Sequence, residues 1–158
     1  MTARVLVAGI GNLFLGDDGF GPEVVRRLLA GDPLPAGVRV TDYGIRGMHL
    51  AFDLLDPYDA VILVDALPGE GQAGLVEVLR VTGVPDGRDL DGHQMDPAAV
   101  LAAVVRLGGT VPDTYVVGCR VATVGEGIGL SAPVAAAVPA AAATVRALTA
   151  SVAGAGGG

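Results

Sequence analysis

Short apolar runs, too brief for helices, alternate along this chain with segments of helical period, and that alternation leaves few folds open. The stretch "RVLVAGI" from Arg4 to Ile10 is almost wholly apolar, the pattern of a strand covered on both faces. Helical spacing follows. Val24, Val25, Leu28 and Leu29 repeat on one side, and Arg26 and Arg27 stand on the other. Pro22 is expected at the first helical position, with Gly21 as its cap, and Gly31, Pro33 and Pro35 end the helix. "VRVTDYG" from Val38 predicts a second strand, "GMHLAFDLL" a short helix, and "DAVILVDAL" a third strand whose apolar run ends on Asp65. "GLVEVLRV", from Gly74 to Val81, alternates like a strand at one edge, antiparallel to its neighbour. Asp96 and Pro97 predict a helix start with Val100, Leu101, Val104 and Leu107 inward, closed by Gly108 and Gly109. "TYVVGCRVA" predicts the fifth strand, and Ser131 caps a last helix from about Pro133 to Val152. The order implies an α/β protein, a three-layer α/β/α sandwich around a mostly parallel five-stranded sheet. Residues 1–153 read as one domain and 154–158 as a flexible, glycine-rich tail.

Composition narrows the function. A net charge of −7, with no basic cluster, argues against nucleic acid, because phosphate binding needs Lys and Arg. The single cysteine, Cys119, allows no intrachain disulfide and suits a reducing cytoplasm. The first residues lack the apolar core of a signal peptide. No uninterrupted apolar stretch reaches the roughly 20 residues of a spanning helix. The alanine-rich end reads as a surface helix, so no membrane partner is expected.

In a sheet of this kind the carboxyl ends of the parallel strands share one rim, where ligands bind. Asp17 and Asp18 follow the first strand, Asp65 ends the third, and His93 precedes the helix at Asp96. Topology can bring these connections to one edge. A helix N-terminus favours an anion by roughly 0.3–1 kcal/mol, whereas two charges about 4 Å apart repel by roughly 4 kcal/mol at an effective dielectric of 20. One aspartate, Asp18 or its neighbour, is therefore expected to face the rim, and the other to face water or cap the turn. Asp65 is either a strand-end cap or a ligand or catalytic acid, and His93 either a solvated loop residue or a partner to the carboxylates. Two carboxylates and an imidazole suit nickel, zinc, manganese or iron. "GIGNLFLG" lacks the third glycine of a dinucleotide loop and runs into acidic residues, which would repel a pyrophosphate. Cys119 reads as a core thiol, His49 as exposed, and Glu70 and Glu77 as solvated. A nucleotide- or sugar-binding α/β module remains the rival class on fold grounds.

With these residues in hand, the sequence resembles the hydrogenase maturation proteases. The segments that carry the likeness are "VLVAGIGNLFLGDDGFGPEVV", "DYGIRGMHL", "VILVDAL", "GHQMDP" and "GIGLSAPV", in that order. The resemblance implies an endopeptidase, aspartic-type or metal-assisted, with a phosphorylase/hydrolase-like fold. It would trim the C-terminal extension of a nickel-loaded nickel–iron hydrogenase large-subunit precursor. The family's metal-binding and catalytic trio falls on Asp18, Asp65 and His93. The nickel would come with the precursor, with none held tightly by the free enzyme, a cytoplasmic monomer. The turn from Gly44 to Gly47 matches the family's glycine-rich turn beside the site, and Asp42 is expected to help shape the cleft. A catalytically idle relative that only binds its partner is the alternative. Two departures stand out: Arg120 and Val121 replace the Glu and Pro of many relatives and put a positive charge near the rim, and "DLDG" precedes His93 where relatives carry Ser or Thr.

Overall fold

The computed structural model of the protein describes residues 2–68, 71–82, 96–122 and 124–156. Five strands form one sheet: β1 (Val5–Ile10), β2 (Val38–Gly44), β3 (Ala60–Leu67), β4 (Val76–Val81) and β5 (Asp113–Arg120). Their order is β2-β1-β3-β5-β4, all parallel except the antiparallel edge strand β4. The helices are α1 (Phe20–Ala30), α2 (Gly47–Asp53), α3 (Pro97–Arg106) and α4 (Ala132–Gly156). The expected sandwich is therefore present, including the antiparallel edge.

The near-continuous apolar runs are explained by what each face meets. Successive strand side chains point to opposite sides. On one side Val5, Val7, Ile62, Val64, Val117 and Cys119 pack with Phe20, Val24 and Leu28 of α1 and Val134, Ala137, Ala141 and Val145 of α4. On the other, Leu6, Ala8, Ile10, Val61, Leu63 and Val116 pack with Leu50, Ala51 and Leu54 around α2 and with Val100 and Val104 of α3. By length and composition α4 resembles a membrane-spanning helix, yet its Val134–Val145 stripe lies in the first of these cores. The helix runs on to Gly156, into the stretch read from sequence as a tail.

Several local expectations change. Helix α1 begins at Phe20 behind a 3-10 turn, Gly16–Gly19, so Gly19 rather than Gly21 precedes it and Pro22 sits at its third position. Proline is tolerated there because the first-turn amides lack intrahelical acceptors anyway. Leu29 is 65% exposed, off the stripe that Leu28 occupies. Leu107, expected to face inward, is also partly exposed. Strand β3 continues two residues beyond Asp65, so that carboxylate stands within the sheet rather than after it. Glu77 is not solvated alone: its Oε2 lies 3.1 Å from Arg120 across the β4–β5 pair.

Glycine sets how closely α1 meets the sheet. A Cβ on Gly21 would overlap the carbonyl oxygens of Val64 and Ile10, and one on Gly9 would strike Val25 and the Gly21 carbonyl. Gly11, at φ +143°, approaches Asp18 so closely that a Cβ would overlap the Asp18 carbonyl oxygen. These contacts draw the 3-10 turn and the start of α1 down onto the ends of β1 and β3.

Candidate active site

The two adjacent aspartates have separate jobs. Asp17 is fully buried. Its Oδ1 accepts from the Ser131 amide at 2.6 Å, and its Oδ2 from the Ser131 hydroxyl and the Ala122 amide, both at 2.8 Å. The expectation of water or a simple turn cap for the aspartate turned from the rim is thus corrected. Asp17 ties the 3-10 turn to the end of β5 and to the entry of α4, where a helix N-terminus favours its charge. A parallel bridge between Leu15 and Gly127, with Gly16 N–H donating to the Gly127 carbonyl at 2.9 Å, fastens the same two loops. Asp17 also raises the pKa of Cys119, after burial, which is the larger cause. The thiol is buried, as read from sequence, and unsuited to attack.

Asp18 is partly buried. Its Oδ2 accepts from the Asn12 amide at 2.7 Å, while Oδ1 takes no bond from the described residues. Asp65, also partly buried, is supported as sparsely among the described residues: Oδ1 accepts the amide of its own neighbour, Ala66, at 2.8 Å. Its pKa is pushed well above the carboxylate range, first by burial, then by the negative charge of Asp18 and, more weakly, by that of Asp96; the Ala66 amide opposes the shift. Asp65 thus lies within electrostatic reach of Asp18. By strand alternation Asp65 lies on the α2/α3 side of the sheet, between Leu63 and Leu67.

Asp96 does what its sequence position suggests. It caps α3, with Oδ1 accepting the Ala98 amide at 2.9 Å and Pro97 behind it. Because its charge is felt at Asp65, the start of α3 borders the same rim. His93 and Glu70 lie outside the described residues. Among the described residues, no three His, Cys, Asp or Glu side chains gather as a metal site.

The turn after β2 borders the rim as well. The Gly11 amide donates to the Gly44 carbonyl at 2.9 Å. The β1–β2 register slips between Gly9 and Ile10, which pair with Asp42 and Gly44, and Tyr43 is fully buried. Its hydroxyl donates to Asp53 Oδ2 at 2.6 Å, and burial together with that carboxylate raises its pKa. Asp42 holds the turn, with Oδ1 accepting from the Gly44 amide at 2.8 Å and its carbonyl from Arg46 at 2.8 Å. His49 is exposed, as expected, 3.7 Å from Asp53. Arg120 is held by Glu77 and by the Pro68 carbonyl at 2.9 Å, so its charge is offset locally.

A family model described as hydrogenase maturation protease matches residues 22–147. The chain belongs to the hydrogenase maturation protease family. Among its relatives, the hydrogenase expression/formation protein HupD of Rhodobacter capsulatus is 32% identical over 120 residues, a match spanning 74% of this chain and 57% of that protein. The hydrogenase 2 maturation protease of Escherichia coli strain K12 is 35% identical over 112 residues, 69% of this chain and 67% of the other. The solved structure of the E. coli hydrogenase maturating endopeptidase HybD superposes with a TM-score of 0.80 at 31% identity, covering 92% of this chain and 91% of that one.

The role of Asp17 escaped sequence reasoning. Its partners lie 105 and 114 residues away, and no local pattern separates it from Asp18. The nearest signal was Ser131, read only as a helix cap.

Proposed function

We propose that this member of the hydrogenase maturation protease family is an endopeptidase that removes the C-terminal extension of a nickel–iron hydrogenase large-subunit precursor. The observation that carries the reading is the pair Asp18 and Asp65, two coupled carboxylates at the rim, each with an oxygen that no described protein group satisfies. Carboxylates in folded domains are ordinarily paired or hydrogen-bonded, and a perturbed one in a cleft marks a functional candidate.

His93 completes the proposed trio. It precedes Asp96, the cap of α3, by three residues in the sequence. Two carboxylates and an imidazole match a borderline divalent cation. Nickel belongs to the substrate: Asp18, Asp65 and His93 contact the nickel already inserted in the precursor, so cleavage waits for loading. Hydrolysis uses a water positioned at the carboxylates. A carboxylate of the pair activates that water as general base. The enzyme acts as a cytoplasmic monomer, without nucleic acid or membrane.

The test is incubation of the purified protein with large-subunit precursor, with and without nickel, read by mass spectrometry. Release of a C-terminal peptide only from the loaded precursor is the expected result. Release from the nickel-free precursor at the same rate contradicts the sensing role, and no release from either contradicts the endopeptidase reading.

A further inference from the structure

A groove of about 560 Å³ runs between α2 and α3, lined by Ile45, Arg46, Met48 and His49 on one side and by residues from Ala99 to Arg106 on the other. Its α2 wall starts at the turn fixed to Gly11 through the Gly44 carbonyl. Its α3 wall starts one turn below Asp96, whose charge is felt at Asp65. Asp65 itself lies on this side of the sheet, so a chain crossing the rim at that carboxylate meets the groove next.

The lining is apolar with a basic edge. Ile45 and Met48 are 60% and 55% exposed, while Val100 and Ala103 form part of the opposite wall. Among the described residues no carboxylate lines it, in a chain of net charge −7. Arg46 is held in place by the Tyr43 and Asp42 carbonyls, at 3.2 and 2.8 Å, and has no acidic partner among the described residues. Arg106, at the far end, has no ion pair among the described residues. Exposed apolar side chains between two unneutralised guanidinium groups suit an apolar peptide carrying a negative charge.

We infer that this groove holds the departing side of the substrate, the C-terminal extension beyond the cleaved bond, with its terminal carboxylate directed toward Arg106. The inference rests on the endopeptidase reading and adds a binding subsite to it. Arg106 and Met48 are exposed and stand outside the hydrolytic machinery, so their substitution leaves the fold and the chemical step intact.

Two readouts test it. On nickel-loaded precursor, Arg106→Glu and Met48→Asp each raise KM about tenfold with kcat unchanged, since like charges now face the extension. Separately, a labelled synthetic peptide of the extension binds the wild-type protein in fluorescence anisotropy, more weakly as its C-terminal amide, and loses affinity about tenfold on either variant. Wild-type cleavage with KM unchanged in both variants overturns the subsite and leaves the endopeptidase reading intact. Absent cleavage with groove-dependent peptide binding overturns that reading and supports the subsite. A concentration-dependent dimer, broken by Arg106→Glu and indifferent to the peptide, assigns the face to a second copy and overturns the inference.

Discussion

Asp17 and Asp65 are both carboxylates set among apolar strands and loops, and they are stabilised in opposite ways. Among the described residues, Asp17 accepts hydrogen bonds from the Ser131 amide and hydroxyl and the Ala122 amide, in two distant segments. Asp65 accepts there from its own neighbour, Ala66, and carries a raised pKa beside Asp18. A buried charge costs several kcal/mol unless its lone pairs are met. The protein meets that cost in full at Asp17, which makes it a fastening. At Asp65 one carboxylate oxygen has no protein partner among the described residues and is not sealed from solvent, the state expected of a group that meets a substrate under the proposed function. Sequence neighbours thus differ in surroundings, while groups far apart in the chain, Asp18 and Asp65, lie within electrostatic reach of each other.

The largest expected effect separates chemistry from scaffold. Asp18→Asn and Asp65→Asn should each lower precursor processing by about 10²–10⁴-fold, with circular dichroism and thermal unfolding showing an intact fold. Next, Asp17→Ala strands the Ser131 amide and hydroxyl and the Ala122 amide. At about 1–3 kcal/mol for each group left unsatisfied, urea unfolding should show a loss of about 3 kcal/mol or more. A loss under 1 kcal/mol would dissolve the distinction.

The pH dependence sharpens the contrast. The folded protein holds the Asp65 proton more tightly than the unfolded chain does, so this group's contribution is present at low pH and lost as pH rises from the ordinary carboxylate range through the raised folded pKa. Asp65→Asn should remove that loss and unfold at a higher temperature than the parent at neutral pH. Smaller again, Tyr43→Phe removes the bond to Asp53 and should cost about 1 kcal/mol. Glu77→Gln, at the partly exposed Arg120 pair, should cost under about 1 kcal/mol in the same urea titration.

The layering of the fold was legible in the sequence for a physical reason. A strand buried on both faces must be apolar throughout, as Val5–Ile10 and Ala60–Val64 are, and an edge strand need not be, as β4 shows. Asp96 and Pro97 announced α3 because capping is local chemistry. The start of α1 was misplaced because proline is accepted anywhere in a first turn, so Pro22 fixes the start only to within that turn. Asp65 could be singled out because it interrupts an apolar strand near its end, and the pair Asp17 and Asp18 because two charges stand together before a helix; only the family resemblance chose Asp18 of the two. The role of Asp17 could not be read, because what distinguishes it is contact with residues more than a hundred positions away. The pairing of Arg120 with Glu77 was hidden for the same reason: it depends on the register of β4 against β5, which the local pattern does not specify.

The most direct measurement is a carbon-13 titration of the Asp65 side-chain carboxyl by NMR, in the parent and in Asp18→Asn. The account predicts a midpoint above the ordinary carboxylate value in the parent and a fall toward that value once Asp18 is neutral. An ordinary midpoint, or a raised one that ignores the substitution, would contradict the coupling of the two groups at one rim.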